Sequence, residues 1–82
     1  MKVYMTPREA LNEIIWKYHG NMKDVEIFYL HRGAPDDTMI VKGDSVKSVR
    51  KDHIELERSV IPYHRILKIT FEGDTIYERR SD

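Results

Sequence analysis

Val25-Glu26-Ile27-Phe28-Tyr29-Leu30-His31 is the stretch that decides the fold. Its side chains alternate, with Val25, Ile27, Tyr29 and His31 on one side and Glu26, Phe28 and Leu30 on the other, which is the period of a β-strand. Both sides are largely apolar, as expected of a strand in the middle of a sheet. The segment that follows, Arg32-Gly33-Ala34-Pro35-Asp36-Asp37, holds nearly every turn-forming residue type and reads as an ordered loop.

Upstream of this strand the period changes to that of a helix. Thr6-Pro7-Arg8-Glu9 is a capping sequence: the Thr6 hydroxyl can accept from the Glu9 amide, Glu9 can reach back, and Pro7 suits the first turn. Ala10, Leu11, Ile14, Ile15 and Tyr18 form the apolar stripe, and Gly20-Asn21 supplies a left-handed stop. The helix is expected from Pro7 to about Tyr18; Trp16, off the centre of the stripe, either wraps round its edge, the favoured reading, or stays partly exposed.

Downstream, Thr38 to Lys42 reads as a strand, Gly43-Asp44 as a turn, Val46 to Val49 as a second strand and His53 to Glu57 as a third. Arg65 to Phe71 alternates with Leu67, Ile69 and Phe71 inward. Glu72-Gly73-Asp74 then turns it into Thr75 to Glu78, because Gly73 accepts the positive backbone angles of a tight hairpin. The tail from Arg79 is expected to fray. The sum is an α+β fold over residues 1–82: one N-terminal helix packed on a strongly twisted, mainly antiparallel five-stranded sheet or partly open barrel.

A length of 82 residues suits one domain, since two halves would each be too small to outweigh chain entropy. The chain has no cysteine, which removes disulfides, cysteine-ligated zinc and thiol nucleophiles. No apolar run is long enough to be a signal peptide or to span a bilayer, so no membrane partner and a cytoplasmic location are expected. Lys plus Arg and Asp plus Glu balance at 14 each. Between Lys42 and Lys68, however, seven basic residues face four acidic ones.

Four histidines (His19, His31, His53 and His64) raise the question of a metal or a catalytic site. Their spacing answers against both: no pair has the i, i+4 spacing of a helical zinc site, and none is followed at the second position by the Ser or Thr of the two-histidine phosphoesterases. No metal, cofactor or catalytic residue is expected. His19 suits a helix C-terminus, and His53 reads as a solvated residue at a strand start.

His31-Arg32 and His64-Arg65 are different. Each sets a titratable donor beside a permanent planar cation, a combination suited to phosphate. The structural alternatives are a strand-end hydrogen bond for His31, a turn-closing bond for His64, and pairing of Arg32 or Arg65 with Asp36 or Asp37. Tyr63, set between Pro62 and His64, is expected to project outward as a base-stacking platform. Lys42, Arg50 and Lys68 are candidates for secondary contacts to an RNA backbone.

Ile61-Pro62-Tyr63-His64-Arg65-Ile66, preceded by Tyr29-Leu30-His31-Arg32-Gly33 and followed by Ile69 and the Gly73 hairpin, resembles a known family. It is similar to the small, largely archaeal proteins called the RNA cyclic group end recognition domain, over nearly the whole chain. The resemblance implies recognition of RNA ends carrying a 2′,3′-cyclic phosphate without catalysis, a role inferred from fusions to RNA-processing and phosphoesterase modules. It also implies that His64 and Arg65, with His31 and Arg32 opposite, are the ligand positions. The expected function is thus an RNA-binding module for a terminal phosphate in RNA processing or repair. The alternatives are an adaptor docking on proteins of an RNA-processing or translation assembly, and a histidine-dependent RNase or cyclic phosphodiesterase.

Overall fold

The computed structural model describes residues 3–79. Helix α1 covers Pro7–Lys17. Seven strands follow among the described residues: β1 (Val25–Leu30), β2 (Thr38–Lys42), β3 (Ser48–Val49), β4 (His53–Glu55), β5 (Val60–Pro62), β6 (Ile66–Phe71) and β7 (Asp74–Glu78). They form two antiparallel sheets, of order β2-β1-β6-β7 and β3-β4-β5. The fold is α+β as expected, but it is neither one five-stranded sheet nor a closed barrel. Between β2 and β3 the chain makes a tight turn at Gly43–Ser45 and leaves the larger sheet instead of extending it.

Local chemistry explains the elements. The Thr6 hydroxyl accepts from the Glu9 amide at 3.1 Å and donates to the Glu9 carboxylate at 3.2 Å, so the cap at the start of α1 is in place. The helix ends where His19 (φ 55°) and Gly20 (φ 85°) turn left-handed. Trp16 is 80% exposed, which corrects the expectation that it wraps the stripe. Two residues past Ile14 is about 200° around a helix, and that direction faces away from both sheets.

Strand β1 is central, pairing with β2 on one edge and β6 on the other. Its inward residues Val25 and Ile27 are fully buried with Ala10, Leu11 and Ile14 of α1, Ile54 and Ile61 of the smaller sheet, and Ile66, Ile69 and Ile76. One buried cluster therefore draws on the helix and both sheets.

In β6 the register slips between Phe28 and Tyr29 of β1, so that Tyr29 pairs with Ile66 and Leu67 is passed over. The bulge puts Ile66 in the core (0% exposed) and leaves Leu67 half-buried, the reverse of the simple alternation read from the sequence. Arg79 does not fray: its amide donates to the Leu67 carbonyl at 2.8 Å and its guanidinium to the His64 carbonyl at 3.0 Å. Residues 80–82, the rest of that predicted tail, lie outside the described residues.

Candidate anion cleft

Antiparallel pairing of β1 with β6 places the C-terminal end of one beside the N-terminal end of the other. Since Tyr29 is the register partner of Ile66, the residues just beyond Tyr29 and those just before Ile66 meet at the same end of the two central strands. There Leu30, His31, Arg32, Asp37, His64 and Arg65 line an open cleft of about 590 Å³. The two His-Arg couples, 33 positions apart in the chain, therefore share one cavity.

Each wall is fixed by its own backbone. On the first, the His31 amide donates to the Asp37 carbonyl (2.8 Å), Ala34 to the His31 carbonyl (3.2 Å) and Asp37 to the Ala34 carbonyl (2.8 Å), which closes the loop on itself. The Gly33 amide adds a bond to Asp37 Oδ1 at 3.3 Å. Gly33, Asp36 and Asp37 all have φ in the left-handed region (95°, 54° and 53°). Glycine reaches that region freely, and aspartate more readily than other residues. The second wall is a single 3₁₀ turn, Tyr63–Arg65, closed by the Ile66 amide on the Tyr63 carbonyl.

That turn separates Tyr63 from its neighbours. With three residues per turn, Tyr63 and Ile66 lie on one side, while His64 and Arg65 lie on the others. Tyr63 is half-buried against the core; its hydroxyl donates to the Arg50 carbonyl at 2.5 Å, and it is not part of the cleft lining. Burial also pushes its phenol pKa above the usual value. The expectation that Tyr63 projects as a stacking platform is therefore corrected: it anchors the turn from behind.

The cations in the cleft are unneutralised. Among the described residues Arg32 and Arg65 make no ion pair and no side-chain hydrogen bond, so the predicted alternative of pairing with Asp36 or Asp37 is not realised. His31, Arg32, His64 and Arg65 are all exposed, and His31 packs edge-on against the Tyr29 ring at 6.2 Å between centroids. The cleft thus holds two free guanidiniums and two imidazoles around open space, a donor set suited to an anion, together with one carboxylate.

The three predicted secondary contacts are engaged elsewhere. Lys42 pairs with Glu26 at 3.6 Å, Arg50 with Glu55 at 3.2 Å, and the Lys68 ammonium sits 4.6 Å from the centre of the Phe28 ring. None lines the cleft. His53, read from sequence as solvated, is held by Asp52 at 2.6 Å and lies 3.6 Å from Glu55. Its hydrogen bond is the main reason that the Asp52 carboxyl is held below the usual carboxylate range; for Glu55 the main reason is the Ser48 hydroxyl. Among the described residues no His, Asp and Glu cluster could hold a metal, and no helix is long and apolar enough to cross a membrane.

Asp37 and Leu30 were not singled out as part of the site. The signal for Asp37 was its place at the end of the loop that Arg32 begins. Arg79 was also missed: its bond to the His64 carbonyl braces the second wall.

The family model described as MJ1316 RNA cyclic group end recognition domain matches residues 1–79. The chain is 35% identical over 75 residues to a UPF0248 protein of Methanococcus maripaludis, covering 89% of this chain and 97% of that one. It is 31% identical over 74 residues to a UPF0248 protein of Methanococcus vannielii, covering 88% and 89% respectively. With a UPF0248 protein of Methanocaldococcus jannaschii it shares 30% over 82 residues, covering 98% and 100%. No solved structure matches the chain.

Proposed function

The chain belongs to the family of the MJ1316 RNA cyclic group end recognition domain, and from that membership we propose that it is a single-domain module that binds the terminal phosphate of an RNA strand. The observation that carries this reading is the shared cleft: Arg32 and Arg65, unpaired in the free protein, face one open space from two separately braced walls. Two planar forks lining one cleft can hold the non-bridging oxygens of a phosphate, and the imidazoles of His31 and His64 add further hydrogen-bond donors. The family's description names the cyclic group end of an RNA; we read that group as a 2′,3′-cyclic phosphate and place the module in RNA processing or repair in the cytoplasm, with RNA as the partner. The cleft lies at one end of strands β1 and β6 and has room to take a chain end. Lys42 and Arg50 are already paired, so few phosphates are neutralised and the salt dependence of binding should be shallow, with a log–log slope of about −1 to −2.

We take the module to bind without turnover. One observation favours a second reading, a histidine-dependent cyclic phosphodiesterase: both imidazoles line the same cleft. Incubating excess cyclic-phosphate RNA with the wild type and with His64→Ala separates the two. Binding alone predicts no products beyond the uncatalysed rate in either sample, and multiple turnovers lost in His64→Ala would replace our reading. End recognition itself is tested by titrating labelled oligoribonucleotides that end in cyclic phosphate, linear phosphate or hydroxyl. The phosphate ends should bind more tightly; equal or absent binding to all three removes the proposal.

A further inference from the structure

Asp37 is the one acidic side chain in a cleft that otherwise offers cations and neutral donors. Its loop holds it there firmly, through the His31 amide on its carbonyl and the Gly33 amide on its carboxylate, in a left-handed conformation. A carboxylate placed only to neutralise Arg32 or Arg65 would be ion-paired with one of them, and it is not. An unpaired acid beside an anion site lowers affinity for every anion, and lowers it most for the most highly charged.

We propose that Asp37 is a specificity residue that makes the cleft favour a singly charged phosphodiester end over a doubly charged phosphomonoester end. The inference rests on the end-binding reading and deepens it. A cyclic phosphate is a diester with one negative charge and no proton to lose near neutral pH, whereas a linear terminal phosphate carries about −1.5 to −2 at pH 7. Two guanidiniums alone would reward the extra charge of the monoester. Asp37 repels each charge of the ligand, so it costs the doubly charged monoester more than the singly charged diester and shifts the preference of the cleft toward the diester. Discrimination thus comes from a repulsive element set against the competitor.

The test uses the full chain as wild type, Asp37→Asn and Asp36→Asn, with one oligoribonucleotide sequence ending in 2′,3′-cyclic phosphate, 3′-phosphate or hydroxyl, followed by fluorescence anisotropy. Asparagine keeps an acceptor for the Gly33 amide and tolerates the left-handed backbone, so the loop should survive. Asp37→Gly, which also accepts that backbone, repeats the measurement. Asp36 does not line the cleft, so Asp36→Asn controls for net charge. One unit charge acting across a partly screened cleft changes affinity by about three- to tenfold per ligand charge. Asp37→Asn should therefore tighten both phosphate ends, the linear one more, and lower the cyclic-to-linear preference about two- to tenfold, with Asp36→Asn near wild type. A preference unchanged in Asp37→Asn and Asp37→Gly, or lowered equally in Asp36→Asn, overturns the assignment while leaving end binding intact. A wild type indifferent to all three ends overturns the end-binding reading and the assignment with it.

Discussion

Removing the Arg65 guanidinium should weaken binding to a phosphate-ended RNA without touching the fold. Among the described residues Arg65 makes no ion pair or side-chain hydrogen bond, so Arg65→Ala should leave stability within about 0.5 kcal/mol of wild type. In the complex the loss is one charge-assisted contact in an open, water-filled cleft. Coulomb attraction at contact distance there falls between the fully aqueous and the partly desolvated limits, and about 1–2 kcal/mol is expected, a five- to thirtyfold weaker Kd. Arg32→Ala should cost a similar amount. Because both guanidiniums face one space, their effects should not multiply: the double variant should be weaker than either single one by about two- to tenfold less than the product of the two losses. Lys51→Ala, on the exposed β3–β4 connection, supplies the comparison and should change Kd less than about twofold. The assay is anisotropy with one labelled oligoribonucleotide across the wild type and the four variants, at fixed salt. Arg65→Ala indistinguishable from Lys51→Ala, or losses at Arg32 and Arg65 that multiply within error, would refute the idea that the two couples grip one group.

Three predictions concern the scaffold. A Cβ at Gly43 would sit 2.5 Å from the Met22 carbonyl oxygen, 2.7 Å from Val25 Cβ and 2.9 Å from Met22 Cβ, so Gly43→Ala should destabilise by about 2–3 kcal/mol in urea unfolding; a midpoint equal to wild type would contradict this packing. The Thr70 hydroxyl is buried without a hydrogen-bond partner, and Thr70→Val should stabilise by about 0.5–1.5 kcal/mol, measurable as a raised Tm. Asp52 and Glu55 have carboxyl pKa values held below the unfolded range, so the folded state binds fewer protons than the unfolded one in acid. Their contribution is complete above the ordinary carboxylate range and is lost as pH falls through their lowered values. Stability should therefore decline below about pH 4, and Glu55→Gln should flatten that decline.

How much of this was legible follows from where each signal resides. The helix, the central strand β1 and the β6–β7 hairpin are written in local patterns: a capping sequence, a two-sided apolar strand, and Glu72-Gly73 at positive φ. Strand β5 was missed because it is three residues long, exposes Val60 and ends in Pro62, which has no amide to donate and is tolerated only at a sheet's edge. The division into two sheets depends on the close approach of Gly43 to Met22 and Val25, which no local period encodes.

For the site, the two His-Arg couples could be named from residue types alone. Their meeting could not, because it depends on the register of Tyr29 with Ile66, which a bulge shifts by one residue. That shift is also why alternation pointed to Leu67 instead of Ile66 as the core residue. Tyr63 was misdirected for a related reason: a turn with three residues per revolution, unlike a strand, sends adjacent side chains to different sides.

The central claim is most directly tested by a nuclear magnetic resonance titration that follows the backbone amides and histidine rings while RNA ending in 2′,3′-cyclic phosphate is added. The same RNA ending in hydroxyl serves as control. The account predicts that signals from His31 and Arg32 move together with those from His64 and Arg65, with one shared Kd and only for the phosphate end. Shifts confined to one couple, or centred on a different surface of the protein, would contradict it.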